Sequence, residues 1–143
     1  MAKTVALGTI LRVENPATVG FLAVGNLTAI SVPGSTKPEI DVTDFDSTAA
    51  EFLAGLPDNG ELSLSGFFNY TDAGQQVLLD DAYDPDAPVR AFEIDFTRQN
   101  VQFTFDAYVS SLVPNAGGPN EAYTFDATLR VTGAVTVTSP IPA

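Results

Sequence analysis

The sequence predicts a mainly β fold of antiparallel strands, and two observations carry that prediction. Over several segments apolar and polar residues alternate with a period of two, the mark of strands with one buried and one wetted face. Between those segments stand clusters of Gly, Pro, Asn and Asp, the residues that close turns. The 143 residues (1–143) are expected to form a single domain, large enough to bury a core of its own.

The opening, MAKTVALGTILRVEN, sets a lysine before an apolar stretch, as a secretory signal does. That stretch is short, carries Gly8 and Thr9 and runs into Arg12 and Glu14, so it reads as a first strand over 5–13. Asn15, Pro16 and Gly20 turn the chain into a second strand over 21–32. Gly34 and two prolines, Pro33 and Pro38, make a tight connection to a third strand over 39–45, and the outline is a hairpin. Thr48 and Glu51 have capping-box spacing and Gly55 suits a helix C-terminus, which predicts a helix of about two turns over 48–54. Pro57, Asp58, Asn59 and Gly60 then form a strong turn.

Leu62, Leu64, Phe68 and Tyr70 share one face of the next strand, with Gly66 among them. A second helix is predicted over 73–83: Asp72 and Gln75 are a cap pair, Ala73, Val77, Leu78 and Ala82 make an apolar stripe, and Pro85 and Pro88 stop it. The later strands alternate most cleanly. Phe92, Ile94 and Phe96 oppose Glu93 and Asp95; Val101, Phe103, Phe105, Ala107 and Val109 oppose Gln102, Thr104 and Asp106. Tyr123, Phe125, Leu129 and Val131 oppose Thr124, Asp126, Thr128 and Arg130, and 134–143 reads as a C-terminal strand and arm.

Composition narrows the function classes. Six basic residues against eighteen acidic ones give a formal charge of −12, and the cations are scattered, so tight binding to nucleic acid is not expected. A surface that repels DNA fits this balance. Hydrophobic residues make up 45%, yet polar residues interrupt every apolar run well short of the roughly 20 residues that span a bilayer, so a soluble domain without membrane association is expected. The chain has neither cysteine nor histidine, which removes disulfides, thiol chemistry, His-assisted serine nucleophiles and the usual zinc sites. No phosphate-cradling loop or dinucleotide fingerprint is present.

Carboxylates are the remaining chemistry. Glu93 and Asp106 on neighbouring strands could act as a glycosidase pair, but both lie on the polar side of alternating strands, where solvated charges ordinarily sit. Asp41, Asp44, Asp46 and Glu51 form one group and Asp80, Asp81, Asp84 and Asp86 another, all hard oxygen ligands suited to calcium. Neither has EF-hand spacing; caps and turn hydrogen bonds explain the first, and a solvated acidic turn the second. No cofactor is expected. The longest stretch without strand character, 44–60, is of the kind that is functional or mobile, and it is the expected contact with another subunit through Asp44, Asp46, Ser47, Phe52, Leu53 and Leu56.

Taken together, the order and spacing of DVTDFDS from Asp41, AGLPDNGELSLSGFF from Ala54, GQQVL from Gly74, RAFEIDF from Arg90, FDAYVSS from Phe105 and FDATLRVTG from Phe125 resemble the major tail tube proteins of long-tailed bacteriophages. The resemblance covers roughly residues 6–133. It implies an antiparallel β-sandwich or barrel with one short flanking α-helix, shared with contractile-tail and type VI secretion tube proteins. It also implies a structural virion protein, not an enzyme, that forms stacked hexameric rings around a channel for DNA during ejection. Implied partners are further copies of itself, a tape-measure protein, tail terminator or tail tip proteins, and passing DNA held without tight binding. Implied localisation is the phage tail in the virion, after assembly in the host cytoplasm. From the alternation together with that topology, Glu39, Asp41, Glu93, Asp95, Gln102, Thr104 and Asp106 are expected to face the channel, because a carboxylate lining repels phosphates. The two competing expectations are a secretion or contractile-tail inner tube and, from another class, a monomeric carbohydrate-binding β-sandwich. For the latter the aromatic content argues weakly, since there is no tryptophan and most phenylalanines fall on apolar strand faces.

Overall fold

A computed structural model describes residues 7–32, 34–86 and 88–142. Alternation builds nine strands and one helix among them. These are β1 (Ile10–Glu14), β2 (Phe21–Val24), β3 (Leu27–Ile30), β4 (Glu39–Asp41), β5 (Phe52–Ala54), β6 (Glu61–Phe67), α1 (Ala73–Ala82), β7 (Arg90–Phe96), β8 (Val101–Asn115) and β9 (Thr124–Thr138). Seven strands form one antiparallel sheet in the order β2-β1-β7-β8-β9-β6-β3, and β4 with β5 forms a separate two-stranded sheet.

The long hairpin of β8 and β9 organises the sandwich. The first half of β8, up to Ala107, pairs with β7 on one side and with the last part of β9 on the other. Its second half, from Val109, pairs only with the first part of β9, and that part of β9 pairs in turn with β6. Irregularities between Thr104 and Asp106 and between Val109 and Ser111 bend the hairpin, as bulges do. The two halves of the sheet thereby turn their apolar faces to one core: Leu11, Val13, Phe92, Ile94 and Phe105 from one half, Leu62, Leu64, Phe125 and Leu129 from the other. Phe92 lies opposite Phe105 in register, and their rings stack with centroids 5.8 Å apart. Both are buried, each worth about 1.5–3 kcal/mol of transfer free energy.

Helix α1 closes the core with Val77 and Leu78. The expected cap pair forms: Asp72 is the N-cap and accepts from the Gln75 backbone N–H at 3.0 Å. The same carboxylate accepts from the Gly25 N–H, and the buried Gln75 amide donates to the carbonyls of Gly25 and Phe67 while accepting from the Asn69 N–H. One side chain thus satisfies three backbone groups where β2, β6 and α1 meet. Close approach there requires glycine at two positions. A Cβ on Gly74 would lie 2.3 Å from the Ala23 carbonyl oxygen, and one on Gly66 2.5 Å from that of Asn26.

The structure corrects several expected elements. The strand expected to carry Phe68 and Tyr70 ends at Phe67, where the chain turns towards α1 and leaves Tyr70 exposed, and the strand expected within 134–143 is the end of β9. Residues 48–54 are not a helix; Phe52–Ala54 is β5. The Glu51 N–H that a capping box would have left to the helix start instead bonds the Thr43 hydroxyl, while Glu51 Oε2 accepts from Ser47, so cross-strand pairing overrides a weak local helix signal. The strand over 21–32 is two strands, broken at Gly25 and Asn26, the latter in a left-handed conformation. The strand over 39–45 is shorter and pairs with β5, while β3 pairs with β6, so no hairpin joins the second and third expected strands. Residues 5 and 6 of the first expected strand lie outside the described residues.

Candidate assembly surfaces

Five of the seven residues expected to face a channel do share a surface. Glu93 and Asp95 project from β7, and Gln102, Thr104 and Asp106 from β8, opposite the face that carries Phe92, Ile94 and Phe105. Register sets Glu93 beside Thr104 and Asp95 beside Gln102. The face is less uniformly anionic than the β7 and β8 sequences suggest, because β1 places Arg12 opposite Glu93. Arg12 Nη1 bonds Asp95 Oδ2 at 2.5 Å and stands 3.7 Å from Glu93 Oε1. The other Asp95 oxygen accepts from the Gln102 amide at 2.9 Å. Asp95 and Gln102 are consequently buried, and Glu93 and Thr104 are half-buried. Asp106 is exposed. Arg12 lies within the first expected strand, but its partners lie more than eighty positions away and only the register reveals them.

Glu39 and Asp41 are not brought to that face. They sit on the β4–β5 hairpin, an arm that leaves the body between β3 and β6. The base of the arm is clamped by two backbone hydrogen bonds between Thr36 and Asp58, by the Asn59 amide on the Gly133 carbonyl at 2.6 Å, and by Arg130 on Asp58. Its tip is a chain of turn bonds: Asp41 accepts from the Thr43 N–H, Asp44 from the Asp46 N–H, and the Ser47 hydroxyl, within reach of both Asp44 and Glu51, has one proton to give and lies nearer Glu51 at 2.8 Å. Donation from Thr43, backbone first and hydroxyl second, holds the Asp41 carboxyl below its ordinary range. The first acidic group thus serves the turn.

All six residues expected to contact another subunit lie on this arm, and Ile40, Val42, Phe45, Phe52, Leu53 and Leu56 stand exposed along it. Phe45, at the tip, is completely exposed at 109%. Among the described residues nothing covers these side chains, and a two-stranded hairpin with no apolar cover is marginal in water. Unpaired edges are the other open surface. Among the described residues, the β9 stretch 132–138 pairs only with β8, and β2 and β3 each have a single neighbour.

The second acidic group is not a solvated turn throughout. Asp81 is buried and receives two hydrogen bonds from Arg90 on β7, at 2.6 and 3.0 Å. Those bonds raise the Arg90 guanidinium above its ordinary value against the opposing effect of burial, with further attraction from Asp81, Glu14 and Asp84. The pair ties the C-terminal turn of α1 to the sheet. Asp84 accepts from the Asp86 N–H in the turn beyond.

No protein-family model matches the sequence, and no curated protein matches it significantly. Solved structures match its shape. The tail of an empty gene transfer agent particle, obtained by helical refinement with C6 symmetry, is 19% identical, with 91% of this chain and 95% of that chain covered and a TM-score of 0.71. The SPP1 tail tube is 18% identical over 94% of this chain and 78% of its own, with a TM-score of 0.65. The chain has the tail tube fold. A chain of the sheath–tube complex of an extracellular contractile injection system, PVC, in its extended state is similar too, at 12% identity, 92% and 88% coverage and a TM-score of 0.67. The tail tube fold therefore spans tails and contractile systems, at identities that report shape alone.

Proposed function

We propose that this chain is a structural subunit that self-associates into the tube of a phage-like tail, six copies to a ring and rings stacked around a channel that passes DNA. The observation that carries the reading is the match of nearly the whole chain to a particle tail refined with C6 symmetry. Open strand edges and an apolar arm left uncovered among the described residues support it, since ring formation would cover both. The chain acts as a building block and not as a catalyst, resides in the virion and binds DNA no more than transiently, in keeping with a formal charge of −12. A tape-measure protein within the tube and terminator or tip proteins at its ends complete the set of partners. The contractile alternative, an inner tube within a sheath, draws its support from the PVC sheath–tube complex.

In this reading the channel is lined by carboxylates. Glu93 and Asp106 on the sheet and Glu39 and Asp41 on the arm carry the repulsion, while the charge of Asp95 is already matched by Arg12. Gln102 and Thr104 complete the surface. Electron microscopy of the concentrated purified chain, with sedimentation, tests the proposal: rings or tubes are expected, and a strict monomer at every concentration and in the presence of tail tip proteins overturns it. A reconstruction of the tube tests the lining separately, because Glu93 and Asp106 on the outer wall would hand the channel to the opposite polar face of Ser63, Ser65, Asp126 and Thr128.

A further inference from the structure

The arm carries a plug at its tip, and the body carries a socket beside the arm's base. At the tip, Phe45 is completely exposed and stands between Asp44 and Asp46, an aromatic ring flanked by two carboxylates. At the base, Lys37, Pro57, Asn59, Phe103, Val135 and Val137 line an open cavity of about 360 Å³. Its floor is apolar: Phe103 and Val135 are half-buried against the core, and Val137 is 60% exposed at the rim. Lys37 supplies a cation at the mouth and makes no ion pair among the described residues. A cavity of this size accommodates a phenyl ring, and the lysine complements the carboxylates beside it.

We propose that Phe45 of one copy seats in the Lys37–Phe103–Val137 socket of a second copy of this chain. The arm does not fill its own socket. Phe45 stands in the turn beyond β4, completely exposed and so outside the cavity, and the base of the arm is clamped to β9 by Asn59. The contact is therefore heterologous: tip and socket are different patches of one chain, so repetition closes a ring or extends a filament and does not stop at a dimer. A free plug and an unfilled socket of matching chemistry on the same chain name the occupant as a further copy.

This inference rests on the reading of the chain as a self-assembling subunit, and cross-linking separates the two. The chain has no cysteine, so engineered thiols report without background. Two full-length variants, Phe45→Cys and Val137→Cys, are mixed under oxidising conditions. The expected product is the mixed disulfide dimer; only like-with-like dimers, or no dimer, overturns the docking. Should wild-type chain form rings or tubes while the mixed cross-link is absent, the socket is wrong and the assembly reading stands. Should wild-type chain never assemble, both fall. In parallel, Lys37→Glu is expected to raise the concentration needed for assembly about tenfold, and adding Asp46→Lys in the same chain to restore it. Equal assembly of Lys37→Glu and wild type also counts against the socket. Circular dichroism of each monomer shows that the fold is intact.

Discussion

Replacing Arg90 by Met should destabilise the subunit far more than replacing Arg90 and Asp81 together. In the wild type the two guanidinium hydrogen bonds reach a carboxylate whose side chain is only 5% exposed, while the Arg90 side chain is 20% exposed. Arg90→Met keeps most of the aliphatic volume and strands that carboxylate, buried at the C-terminal turn of α1. Breaking one partner of a buried pair costs about 3–5 kcal/mol, and partial access of water to Arg90 puts the expected loss near the lower end, about 3 kcal/mol. For a chain of this size that is a fall in midpoint temperature of about 10 °C. The double variant Asp81→Leu with Arg90→Met removes the stranded charge and should recover most of the loss. Urea and thermal unfolding of dilute monomer, followed by circular dichroism, measure the cycle. A single variant within about 1 kcal/mol of wild type, or a double variant no better than the single, would refute the claim that this pair is buried and fixes the helix.

Gly74→Ala should cost about 1–3 kcal/mol, because its Cβ would overlap the Ala23 carbonyl and force the backbone of α1 or β2 to shift; chemical denaturation measures it. Asp41 should titrate below 3.8 by NMR. The sign follows from that depression: the stabilisation of the arm turn is complete above the unfolded value and fades as pH falls through the lower folded value, so exchange protection of the Thr43 amide should drop as pH falls below the ordinary carboxylate value. Glu93→Lys with Asp106→Lys should leave tubes that assemble but retard DNA, with a defect that shrinks as salt rises; a DNA retention assay at two ionic strengths checks it.

Alternation made β7 and the first halves of β8 and β9 legible, since Phe92, Ile94 and Phe105 fall inward with Glu93 and Asp106 outward, as the period of two requires. Helix α1 was equally clear from Asp72, Gln75 and the prolines beyond it. The stretch FLAVGNLTAISV was not, because it has no alternation, and the break at Asn26 exists to let Gly66 and Gly74 press against the backbone of residues 23–27. On the arm, a capping signal of two residues lost to a ladder that pairs Phe52 with Asp41, eleven residues earlier. The site residues divide in the same way. Which carboxylates face outward was readable from one strand at a time. That Asp95 belongs to Arg12 and Asp81 to Arg90 depends on strand order, helix docking and register, which no single strand encodes.

The β8–β9 hairpin gives the chain a mechanical property. Because the same two strands run without interruption through both halves of the sandwich, a load applied to one sheet passes to the other along covalent backbone, not across a slippery layer of side chains. The sheets cannot shear past one another until the ladder between β8 and β9 is torn, so the body should yield to pulling in one step instead of peeling sheet by sheet. Optical-tweezer extension of a single chain would register one dominant rupture if this holds, and two comparable ruptures if the sheets part independently. A tube walled by such subunits would behave as a stiff conduit whose bending is confined to the joints between them.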